Sequence, residues 1–120
     1  MDALLLTHAR QYVGPGAVPV LLRERPRLVC HDTGFVDPDV ARSFEIAHAG
    51  AVALRGQTPD AISDELKERG LEIGAVVSND VFPNTPLPME EVSLETLRQS
   101  VEALLIFPYR LTQLLLPPMK

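Results

Sequence analysis

Residues 3–16 read ALLLTHARQYVGPG, an unbroken apolar run from Ala3 to Leu6 closed by Thr7, a turn, and then Gly14, Pro15 and Gly16. A short run of this kind, apolar at every position instead of every second one, predicts a strand covered on both faces. The residues after it form a turn that opens onto a helix, so the pair predicts the first strand and first crossover of an α/β domain.

Three more such runs lie downstream, Arg27 to His31, Ala51 to Leu54 and Ile73 to Ser78, and helix-like segments alternate with them. Asp37 before Pro38 and Thr58 before Pro59 each place a side-chain acceptor at the N-cap and a proline in the first turn. Helices are therefore expected over Pro38 to His48 and Pro59 to Arg69, the second closed by Gly70. A further helix is expected from Ser93, with Leu94, Leu97, Val101, Leu104 and Leu105 at helical spacing and a kink at Pro108. Right-handed crossovers then give a Rossmann-like, doubly wound parallel sheet in three αβα layers, strand order 3-2-1-4. The fourth strand would be an uncharged edge, so later strands are expected to be missing and residues 1–120 to be the N-terminal portion of one domain. Phe82 to Met89, with Pro83, Pro86 and Pro88, is expected as a stiff loop at the ligand-binding end of the sheet.

Composition narrows the function. With 46% apolar residues, 22% charged residues and a net charge of −5, the chain is expected to fold as a globular domain and lacks the basic stripe nucleic-acid binding requires. Cys30 is the single cysteine and reads as a buried side chain. His8, His31 and His48 have no spacing that would make a metal site, and read as loop and helix-end residues. Met1 to Leu6 has no basic flank for a leader, and the apolar stretch from Ala103 falls short of the roughly 20 residues of a membrane span, so a cytoplasmic home without membrane contact is expected.

In dinucleotide-binding folds the turn after the first strand is glycine-rich, letting backbone and a helix N-terminus approach the pyrophosphate. Short-chain dehydrogenases carry Thr-Gly-x-x-x-Gly-x-Gly here; aligned on Thr7, this chain has His8 and Tyr12 at the first two glycines and keeps only Gly14. Asp32 stands 18 positions after Gly14, about where such folds hold the ribose. Taken alone it points to NAD; beside His8 and Tyr12 it reads as an inherited strand-end residue. The dehydrogenase Asn-Asn-Ala-Gly after the fourth strand is replaced by Ser78, Asn79, Asp80 and Val81, and the asparagine of the last helix by Leu104.

Thr7-His8-Ala9-Arg10 with Gly14-Pro15, Val29 to Asp32, Val77 to Asp80, and Val101 to Leu104 with Pro108 together resemble the halohydrin dehalogenases, a cofactor-independent branch of the short-chain dehydrogenase/reductase superfamily. The resemblance implies a carbon–halide lyase that converts vicinal halohydrins to epoxides with halide release, and opens epoxides with small anions in reverse. It implies no cofactor and no metal. It places Tyr12 on the halide pocket, Asp80 in halide handling and Phe82 on the substrate pocket. The family's catalytic Ser, Tyr and Arg lie beyond the position matching Lys120, so no catalytic residue is assigned, and Tyr109 is read as a packing residue. A homotetramer through the Leu94 to Leu116 helix is likewise implied. Two other readings stay open: an NAD(P)-dependent short-chain dehydrogenase/reductase, kept by Asp32 and Gly14, and a non-catalytic assembly subunit.

Overall fold

The computed structural model describes residues 3–24, 27–80, 82 and 88–119. Four parallel strands, β1 (Ala3–Leu6), β2 (Leu28–Cys30), β3 (Ala51–Ala53) and β4 (Ile73–Val77), form one sheet in the order β3-β2-β1-β4. Period-2 alternation sorts the β1 side chains between two cores. Leu4 and Leu6 pack with Val18 of α1 (Gly14–Glu24) and Phe44 of α2 (Pro38–Ala47). Ala3 and Leu5 pack with Ile62 of α3 (Pro59–Glu68) and Leu111 of α5 (Phe107–Met119). This is the three-layer arrangement expected, with β1 central.

The strands stop a residue or two inside their apolar runs. Thr7, His31 and Leu54 leave the ladder as side-chain carriers, yet each still donates its N–H to the last carbonyl of a neighbouring strand, Val77, Leu6 and Cys30 respectively. The helix starts follow their caps: the Asp37 carboxylate accepts from Asp39 N at 2.9 Å and the Thr58 hydroxyl from Ala61 N at 3.1 Å. Gly70 follows α3 in the left-handed region, at φ +66°.

The last helix departs from a simple kink. Ser93 caps α4 (Leu94–Val101), a π-helical turn spans Glu102–Ile106, and α5 continues from Phe107. Pro108 has no N–H to give the Leu104 carbonyl and its ring crowds that oxygen, so the chain widens by one residue ahead of it. Phe107 instead donates its N–H to the Glu102 carbonyl. The widened turn leaves Leu104, Leu105 and Ile106 exposed while Phe107 packs inward. Pro83 and Pro86 of the expected stiff loop lie outside the described residues.

Candidate functional site

The turn after β1 has positive φ at two non-glycine residues, His8 at 49° and Tyr12 at 50°. These are the positions that align with glycines in short-chain dehydrogenases. The backbone shape of the glycine turn is thus kept while side chains are added, at about 1–2 kcal/mol each. Hydrogen bonds offset that cost. His8 N donates to His31 Nδ1 at 3.2 Å, and Asn79 Nδ2 donates to the carbonyls of His8 at 3.0 Å and Gln11 at 2.8 Å. Asn79, from the loop after β4, therefore straps down the turn that carries Tyr12. Gly14 closes it: a Cβ there would stand 2.2 Å from the Ala9 carbonyl oxygen.

Asp80 sits beside this strap. Its Oδ1 accepts from the Thr7 hydroxyl at 2.9 Å and its Oδ2 from the Ser78 hydroxyl. His8 Nδ1 lies 3.0 Å from Oδ1 but out of line for a ring N–H bond. Burial pushes the Asp80 carboxyl up, but His8, Ser78 and Thr7 outweigh it and hold it below the usual carboxylate range. Asp80 is therefore an anion at neutral pH. Ser78 contacts that carboxylate and not an imidazole, so the Ser78–Asp80–His8 set lacks the serine–base contact of a nucleophilic triad.

His8 and His31 lie in loops, as their sequence context predicts, but they are not surface residues. Both are buried, their ring centroids 4.7 Å apart, and Phe107 lies 5.6 Å from the first and 5.2 Å from the second. Burial, with the charge of His8, pushes His31 down to about 4 against the opposing pull of Asp32 and Asp80. Neutral His31 accepts at Nδ1, so its proton resides on Nε2, which has no partner among the described residues. Cys30, buried beside it, has its thiol pushed up to about 12 and is unreactive.

Of the three residues expected at the site, Tyr12 is 81% exposed above the turn, Asp80 is turned inward, and Phe82 is half-buried just beyond it. The Asn79 strap ties the loop after β4 to the turn that carries Tyr12. Missed in sequence were Asn79, the His8–His31–Phe107 cluster and the partner of Asp32. Polar residues at consecutive strand ends, Thr7, His31 and Ser78, were the available signal, since parallel strands converge there.

That partner is Arg10. Asp32 accepts from Arg10 N at 3.0 Å, from the Arg10 guanidinium at 3.2 Å and from Gly34 N at 2.9 Å. It caps the short 3-10 turn Thr33–Val36. The carboxylate that would seat a ribose is thus occupied from within, and Tyr12 replaces a glycine of the turn that would seat the phosphates. These residues do not fit a nicotinamide dinucleotide.

A parallel sheet ordered 3-2-1-4, with this turn after its central strand, is the fold of short-chain dehydrogenase/reductase proteins, and the chain shares that fold. The chain is 32% identical to a dehalogenation enzyme over 98% of its own length and 48% of the other's, with a TM-score of 0.86. It is 24% identical to a halohydrin dehalogenase bound to ethyl (2S)-oxiran-2-ylacetate, over 98% and 47%, with a TM-score of 0.90. It also superposes on an NADPH-bound carbonyl reductase from chicken fatty liver, at 18% identity over 99% and 51%, with a TM-score of 0.76. The chain spans about half the length of these solved structures. No protein-family model matches the sequence, and no curated protein matches it.

Proposed function

We propose that the protein is a cofactor-independent halohydrin dehalogenase, a carbon–halide lyase, with Tyr12, Asp80 and Phe82 on one wall of its halide and substrate pocket. The observation that carries the reading is Tyr12 at φ 50° on a glycine position of the dinucleotide turn. Its ring takes space the cofactor would need and offers a positive edge to an anion. The likeness to a dehalogenation enzyme at 32% identity supports it independently.

In the reaction a base removes the hydroxyl proton of a vicinal halohydrin, the oxygen attacks the neighbouring carbon, and the carbon–halogen bond breaks with its electron pair leaving as halide. Residues of this chain would receive that halide; the base is not among those assigned here. Asp80, ionised and held by Thr7 and Ser78, orients the loop that carries Phe82. The exposed face of α4 and α5 fits a homotetramer interface, and a cytoplasmic location is part of the same reading; no helix among the described residues is long and apolar enough to cross a membrane.

The test is halide release from a brominated or chlorinated vicinal alcohol by the full-length protein without added nucleotide. Release that falls in Tyr12→Ala supports the reading; no release across several such substrates removes it. The alternative, an NAD(P)-dependent reductase, rests on the carbonyl reductase likeness, and the Arg10 contact on Asp32 speaks against it. Quenching of NADPH or NADH fluorescence at micromolar protein would replace the first reading with this one.

A further inference from the structure

We infer that Arg10 is a specificity residue: its guanidinium is an internal substitute for a ribose diol on Asp32, and it excludes nucleosides from a seat the fold still provides. This goes beyond the dehalogenase reading and does not depend on it.

Three observations carry it. Asp32 is 1% exposed at its side chain, and each of its three hydrogen bonds comes from Arg10 or Gly34. The Arg10 side chain is itself 47% exposed, so it reaches the carboxylate from the solvent side, the direction a ligand would come from. Gly34 is shaped to this pair: a Cβ there would lie 2.0 Å from Arg10 Nη1 and 3.1 Å from Asp32 Oδ2, and its φ lies outside the left-handed region. An alanine there would push the guanidinium, the far end of a flexible side chain, off the Asp32 carboxylate.

The rest of a nucleoside seat persists next to this clamp. A crevice of about 360 Å³ opens at the ends of β1, β2 and β3, its lining including His8, His31, Thr33, Gln57, Glu102 and Phe107. Gln57 joins its wall to the clamp by donating to the Asp32 carbonyl at 2.9 Å. An aromatic ring, amide and hydroxyl groups, and the Glu102 carboxylate as an acceptor suit a flat base that carries an amino group. Removing the guanidinium would free the carboxylate to accept a vicinal diol beside that crevice, while Tyr12 and His8 continue to bar the phosphates.

The measurement is calorimetric titration of full-length protein with adenosine, a probe that carries base and diol without phosphate. Arg10→Ala should bind adenosine roughly tenfold or more tightly than wild type, the worth of one hydrogen bond to a charged group. The gain should vanish in Arg10→Ala/Asp32→Asn and with 2′,3′-dideoxyadenosine. If Arg10→Ala does not fold, Arg10→Met keeps the aliphatic stem and should show the same gain. Adenosine binding to wild type as tight as to the variants, or no gain in a folded variant, overturns the proposal. A second readout is thermal unfolding. Gly34→Ala should lower Tm with Arg10 present and clearly less in Arg10→Ala, and equal losses in both backgrounds would also overturn it. Neither readout involves halide release, so the dehalogenase reading stands or falls separately.

Discussion

His31 gives the molecule a proton-linked weakness. Its pKa is pushed from 6.5 to about 4 by burial, so between those values the unfolded chain takes up a proton that the folded chain refuses. Stability is complete above pH 6.5 and falls as pH drops toward 4, by on the order of 3 kcal/mol. Asp80, whose pKa is also lowered, adds a loss of the same sign at still lower pH. Urea unfolding at a series of pH values should show this slope, and His31→Leu should flatten it while lowering stability at neutral pH, because His8 N loses its acceptor. A flat profile across this window in wild type would contradict the assignment. Asp32→Ala should be worse at neutral pH. It strands the Arg10 and Gly34 amides and removes the 3-10 cap, for about 3 kcal/mol, read as a drop of roughly 10 °C in Tm.

At the scale of elements, local chemistry decides where helices begin. Thr58→Ala removes the single side-chain cap of α3 and should cost about 1 kcal/mol, with the loss concentrated in amide exchange of its first turn. Gly14→Ala is a different case. Its Cβ would strike backbone oxygen at 2.2 Å, so the turn after β1 must shift, and under the proposed dehalogenase function halide release should fall more than global stability. These starts were legible because Asp37-Pro38, Thr58-Pro59 and Ser93 act within a few residues of chain. The π turn at Glu102–Ile106 was legible only as a kink: Pro108 denies Leu104 its donor, but whether the helix bends or widens depends on what Phe107 finds beneath it, here His8 and His31.

Across the whole molecule, apolar side chains along α4, the π turn and α5, Leu97, Leu104, Leu105 and Tyr109 among them, are exposed at helical spacing. Exposure of this kind marks an interface. Light scattering of full-length protein should report an oligomer, and Leu105→Glu should shift it toward monomer without unfolding the sheet; a monomeric wild type would exclude this face as the contact. The strand order and both cores followed from the alternation of apolar runs with capped helices, since covered parallel strands and right-handed crossovers leave few topologies. The site was only half legible. Tyr12 and Asp80 stood out as departures from a motif, and motifs are local. The pairing of Arg10 with Asp32, the strap from Asn79 and the burial of His8 against His31 join residues 22, 71 and 23 positions apart. Sequence by itself determined the layers and the order of strands. Which polar groups meet at the strand ends was decided only when the sheet brought those ends together, because hydrogen bonding depends on distance in space and not along the chain.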